Sequence, residues 1–366
     1  IDIDDETYER YNNMTGELKH KILDSITQNE DEEYCFKLCD GKCPMLDDNG
    51  LCEIHKNLGE DYLGVVCKQF PRYSEYYGTI KESGIGLACE EAARIILSEN
   101  RPFSMETAAC DEEYEPSSEY DSSFALQIFA AREAVFKILA KESLSIHEKL
   151  IVILDMGSKI QQCINTDEYD NIKSVVNDYL KEGIAHTLDE TRNLSDSGQF
   201  EDISLQQGIR QILYPYEEME VLNPEWEVIL KDIIDSLFEQ MSDEEYNILN
   251  EEFGTYMVSR AYEYRQLLEY LVFRYFAKSI YDYDFLGKCQ MLVTNFFVIR
   301  QMDIIRWLDN HREYSFKDRM DVVHIFSRQV EYSEDNIENL YEDFIFDDIF
   351  KTDSLIAILW IDSENI

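Results

Sequence analysis

What this sequence has least of is basic charge. Its 366 residues hold 33 Lys and Arg against 76 Asp and Glu, a net charge of -43 at neutral pH. A surface of that sign repels phosphate backbones, which argues against nucleic acid, and it would attract a lysine-bearing partner. Most of these carboxylates read simply as a solvated face. Long apolar runs are also missing. The longest uncharged stretch, Cys289 to Ile299, falls far short of the ~20 residues that a bilayer-spanning helix needs. No transmembrane segment is expected, and peripheral membrane association stays open. Glycine-rich phosphate loops are absent: Gly84-Ile85-Gly86 has no third glycine and sits in a hairpin pattern, so a doubly wound nucleotide fold is not expected. There is no internal repeat of solenoid period and no export signal, and the two close Cys-x-x-Cys knuckles that usually grip zinc are missing.

What is present is a concentration of thiols. Six of the nine cysteines, Cys35, Cys39, Cys43, Cys52, Cys67 and Cys89, fall in one stretch, separated by three, three, eight, fourteen and twenty-one residues. Such a stretch makes disulfides, holds zinc, or holds an iron–sulfur cluster. Disulfides are the least expected in a chain that can bury a full core without an export signal, and a reducing cytoplasm is the natural compartment. The first three cysteines miss a radical S-adenosylmethionine motif by one residue. Asn49-Gly50 favours a tight turn that draws Cys43 and Cys52 together. The spacing over Glu60 to Phe70 predicts one helix, stopped by Pro71, with Cys67 in its last turn. Cys89 opens a helix to Leu97, where the helix dipole favours a thiolate. His55, three residues after Cys52, is a further ligand or outer partner to weigh. Cys110, Cys163 and Cys289 read as small buried hydrophobes.

The pattern implies a mainly α chain: a small Cys-rich α+β module over 1–110, an acidic linker over 111–123, and a helical bundle over 124–366. In the module, Asp4 or Asp5 caps a helix through Met14, a second helix spans Thr15 to Ile26, and a hairpin turns at Gly78. Beyond the linker, helices are expected at Phe124–Leu139, from the Ser145 cap to Ile164, and at Asp167–Leu188. More follow at Pro224–Met241, Asp243–Phe253, Tyr256–Ile280, Phe285–Trp307 and Phe316–Val330, with another starting near Ser333. Asp189 to Asp202 reads as a long loop, a lid or a disordered stretch. The Tyr and Phe of 256–307 read as core.

The run Cys43-Pro44-Met45-Leu46-Asp47-Asp48-Asn49-Gly50-Leu51-Cys52-Glu53-Ile54-His55-Lys56, with Leu58-Gly59-Glu60, Tyr62-Leu63, Cys67, Phe70-Pro71-Arg72 and Leu87-Ala88-Cys89-Glu90-Glu91-Ala92-Ala93-Arg94, resembles the flagellin lysine-N-methylase (FliB-type) family. Tyr270 to Phe276 and Phe326 to Glu331 are similar to patterns in that family's helical half. The resemblance implies an S-adenosylmethionine-dependent protein lysine N-methyltransferase acting on flagellin in the cytoplasm. It implies an iron–sulfur cluster, 4Fe–4S with zinc as the alternative, held by Cys43, Cys52, Cys67 and Cys89, while Cys35 and Cys39 fall where it assigns no cysteine. Arg72 is a candidate to hold the carboxylate of the methyl donor or to stabilise thiolates, against a plain surface ion pair. The alternative function is a non-enzymatic metal-binding interaction module, its metal a structural staple.

Overall fold

The computed structural model describes residues 1–29, 32–39, 42–109, 121–196 and 203–364. Cys110 and most of the expected linker lie outside them. The chain divides into two units: Ile1–Tyr73 with Ser83–Gly86, and Ser74–Glu82 with Leu87–Ile366. The division runs through a β-hairpin.

The first unit opens with α1 (Asp5–Asn13) and α2 (Glu17–Asp24), then β1 (Ile26–Gln28) antiparallel to β2 (Tyr34–Phe36), with Cys35 opposite Thr27. Helix α2 is shorter than its expected span because Ile26 leaves it to pair with Phe36. The N-terminal residues extend this ribbon, Ile3 donating to the Tyr34 carbonyl and Phe36 to the Ile1 carbonyl, both at 2.8 Å. Then come α3 (Glu53–Leu58), a 3₁₀ turn at Glu60–Tyr62, and α4 (Val65–Gln69). The single helix expected over 60–70 is therefore two pieces. The break has a tertiary cause: Asp4 caps α1 through Thr7 N at 2.9 Å, and its second oxygen accepts from Val65 N at 3.1 Å, starting α4. The unit's core gathers Ile3, Tyr11, Met14, Ile22, Phe36, Met45 and Ile54, with Cys43 and Cys52 packed at its edge.

The hairpin is β3 (Arg72–Tyr77) and β4 (Ile80–Ile85), turning at Gly78 with φ +61°. The second unit continues with α5 (Glu90–Leu97), α6 (Ser122–Leu139), α7 (Ile146–Asn165), α8 (Ile172–Asp178), α9 (Ile184–Asp196), α10 (Leu205–Glu217), α11 (Pro224–Ile233), α12 (Asp243–Met257), α13 (Ala261–Tyr275), α14 (Ser279–Asp282), α15 (Phe285–Asp309), α16 (Phe316–Val330), α17 (Glu334–Phe346) and α18 (Thr352–Glu364). The fold is mainly α, as the sequence implies. Its axis is α15, with 21 of its 25 residues buried and with α7, α10, α11, α13, α16, α17 and α18 packed around it. Inside this apolar bundle, several polar side chains are paired. Arg319 bridges Glu263 at 3.0 Å and Asp303 at 2.7 Å, and His147 Nε2 meets Asp362 at 2.6 Å. The hairpin tip is fastened in the same way, Glu82 taking both terminal nitrogens of the buried Arg132.

One expectation is corrected here. The loop or lid read over 189–202 is helical through Asp196, and only 197–202 lie outside the described residues. Its inward face is polar: Thr187 and Thr191 are buried, and Thr191 accepts from the Trp360 indole at 3.1 Å. A π-type turn at Tyr179–Gly183 joins α8 to α9 without a break. Among the described residues no helix is long and apolar enough to cross a membrane.

Candidate functional site

In the first unit the Cys43–Cys52 loop is closed as its turn residues dictate. Gly50 takes φ +76°, and Asp47 Oδ1 accepts from Asn49 N at 2.9 Å and Leu51 N at 3.0 Å. Lys56 pairs with Asp47 at 2.8 Å, and that ion pair leads the effects holding the carboxyl down at about 2. An isolated bridge then sets Leu46 against Cys52. Cys67 comes from α4, whose approach is fixed by Asp4 and by Tyr11, which donates to the Tyr62 carbonyl at 2.8 Å.

Cys43, Cys52 and Cys67 are free thiols that lie within one another's fields. Burial raises the Cys43 thiol most, helped by Cys52 and opposed by the Met45 amide. Burial likewise leads for Cys67, followed by Cys43 and Cys52, although the residue's surface as a whole is exposed. Thiols that resist each other's ionisation are a donor set that a cation would stabilise, and soft sulfur suits zinc or iron. The assembled geometry stops short of this: among the described residues no group of three or more His, Cys, Asp or Glu is placed to hold a metal ion. Cys35 sits in β2, Cys39 is exposed, and His55 is exposed on α3. Arg72, at the start of β3, is exposed. Cys89 belongs to the second unit, where it precedes α5 without a side-chain cap bond.

The second unit brings together the two helical stretches, Tyr270 to Phe276 and Phe326 to Glu331, that carry the sequence resemblance. They meet at Glu331. Its Oε2 accepts from Tyr270 at 2.8 Å, Tyr275 at 3.1 Å and Arg274 Nε at 3.0 Å. Its Oε1 has no partner and is the only buried carboxylate oxygen in that condition among the described residues. Desolvation raises the Tyr332 phenol, the charges of Glu331 and Cys89 add to this, and Arg274 opposes them, so thiol, phenol and carboxylate share one neighbourhood. Sequence reasoning included Glu331 only as the last residue of the Phe326 to Glu331 stretch and gave it no role.

Two units, one α+β and thiol-bearing, the other a helical bundle with a buried carboxylate at its motif junction, define the class. The chain belongs to the FliB lysine N-methylase C-terminal domain family, which it matches over residues 132–358. It is 37% identical over 59 residues to the flagellar biosynthetic protein FliU of Salmonella muenchen, covering 16% of this chain and 35% of FliU. The same identity and length relate it to the lysine-N-methylases of Salmonella typhimurium and Salmonella choleraesuis, covering 16% of this chain and 15% of each. No solved structure matches.

Proposed function

We propose that this protein is a cytoplasmic protein lysine N-methyltransferase that transfers the methyl group of S-adenosylmethionine to lysine side chains of flagellin. Family membership across the helical unit carries this reading, and the names of the flagellar and lysine-N-methylase relatives supply the substrate class. The net charge of -43 suits a lysine-bearing protein substrate.

In the transfer, the lysine nitrogen must first lose its proton. Its lone pair then forms the N–C bond while the C–S bond breaks and the thioether leaves. We assign the proton to Glu331, whose Oε1 is uncommitted while Tyr270, Tyr275 and Arg274 fix its other oxygen. Arg72, exposed at the start of β3, is the candidate to hold the donor's carboxylate. Of the first unit's thiols, Cys43, Cys52 and Cys67 would hold the metal. An iron–sulfur cluster or zinc bound there would supply positive charge and a folding staple.

The experiment is direct. Purified without oxygen, the full chain with S-adenosylmethionine should methylate flagellin lysines, with Glu331→Gln lowering kcat by about 10²-fold or more. Serine at Cys43, Cys52 or Cys67 should lower bound metal, and serine at Cys89 tests the fourth position. A metal-bearing protein that binds flagellin without methylating it would identify the interaction module instead.

A further inference from the structure

The helical unit holds a cavity that the methylase reading does not use. It measures about 400 Å³ and lies among the stretch after α5, the turn from α6 to α7, and the start of α13. Lys149, Arg265 and Glu142 line it, with Pro102, Leu144 and Tyr262 among its walls.

Lys149 is the anomaly. It is 5% exposed, yet among the described residues its ammonium has no hydrogen bond and no ion pair. A lysine at a core edge normally runs its aliphatic stem along apolar surface and delivers its charge to water. This one delivers it to the cavity. Three effects work against the charge there: desolvation, the neighbouring Arg265, and a place in the first turn of α7, the positive end of the helix dipole. Burial, then Arg265, lowers its pKa, and Glu269, Glu142 and Glu148 offset only part of this.

Arg265 does not relieve the site, because the donors on its two terminal nitrogens are spent. Nη1 bonds both oxygens of Glu269 at 2.7 and 2.8 Å, and Nη2 bonds Asn100 Oδ1 at 2.9 Å and the Arg101 carbonyl at 3.1 Å. It contributes positive field and no free hydrogen at either terminal nitrogen. What remains is one ammonium opening on the cavity from a buried residue, with three unused donors, a cation beside it and partly apolar walls, in a protein with a large acidic excess.

We propose that this cavity binds a small organic monocarboxylate, its charged end on the Lys149 ammonium and its apolar body against Leu144, Pro102 and Tyr262. A single free ammonium facing Glu142 and Glu269 can neutralise one negative charge but not a phosphate dianion, and the walls reward a hydrocarbon or thioether body. A cationic ligand would meet Lys149 and Arg265 together. The site stands whether or not the chain is a methylase.

The test uses the full chain and hexanoate as probe, with inorganic phosphate and hexylamine alongside. Hexanoate should bind by calorimetry and should slow labelling of Lys149 by an amine-selective reagent, followed by peptide mass spectrometry. Lys149→Met should weaken binding by about tenfold or more, as loss of a charge-assisted hydrogen bond does, and Lys149→Arg should retain most of it. Lys149→Met should melt no lower than the parent, because it removes an unpaired buried charge, so lost binding will not be lost folding. Equal hexanoate affinity in Lys149→Met, phosphate binding in place of hexanoate, or unprotected Lys149 labelling would each overturn the assignment. The labelling arm needs no variant and decides the matter even if both variants fail to fold.

Discussion

Asp4 shows how much of the first unit rests on one carboxylate. Its two oxygens start two helices, α1 at Thr7 and α4 at Val65, and α4 carries Cys67. Replacement by Ala removes both caps, and at about 1 kcal/mol per cap the first unit should lose about 2 kcal/mol. Burial raises the Asp4 pKa, but the amides of Val65 and Thr7 and the Thr7 hydroxyl outweigh it, so the net shift is downward. Asp47 is held at about 2, mainly by Lys56 and the Leu51 amide. Both folded values lie below the unfolded ones. Their contributions are therefore complete above about pH 4 and are lost as pH falls below it, the loss for Asp47 extending to about 2. Amide exchange in 1–70 should accelerate over that window in the parent, and less so in Asp4→Ala. An unchanged pH profile in the variant would show that the caps are not the acid-sensitive groups. The sequence made the Asp4 cap of α1 legible and hid its second role, because the Asp4–Val65 bond joins residues sixty-one apart and no local pattern encodes it.

At the scale of elements, capping boxes and periodicity told most of the helical story. The Ser145–Glu148 and Ser315–Asp318 boxes start α7 and α16 where expected, and most aromatic residues of 256–307 are buried, with Tyr256, Tyr281 and Tyr283 exposed. Helices whose faces break the pattern were not legible. Helix α9 buries Thr187 and Thr191. Helix α10 contains Gly208 and Pro215, ordinary breakers, yet Gly208 is where the Ile358 side chain of α18 comes close, and Pro215 sits in the last turn. Helix α18 is apolar across Leu355 to Trp360 and shows no polar stripe to reveal its period. The tightest seam is between α7 and α15, where a Cβ on Gly157 would stand 2.5 Å from the Cys289 sulfur. Gly157→Ala gains about 1 kcal/mol of helix propensity and loses about 1–3 kcal/mol to overpacking, so a net loss of up to ~2 kcal/mol is expected by urea denaturation. Adding Cys289→Ala should return part of the loss, since the two sites share one contact. Additive losses in the double variant would place the strain elsewhere.

For the whole molecule, the excess of 76 acidic over 33 basic residues acts on folding and on encounter with opposite sign. Like charges crowded on a compact surface repel, so the folded state gains when salt shortens the screening length from about 30 Å at 0.01 M to about 8 Å at 0.15 M. The same screening weakens long-range attraction for a lysine-bearing substrate and slows association. Raising sodium chloride across that interval should therefore raise Tm while lowering kcat/KM for flagellin, with the loss in KM and not in kcat. Paired charges within the bundle, such as Arg319 with Asp303 and with Glu263, lie too deep for ions to screen and should take no part in either trend. A salt series that moved Tm and kcat/KM in the same direction would mean that the surface carboxylates steer no cationic partner and serve only to keep the protein apart from its neighbours.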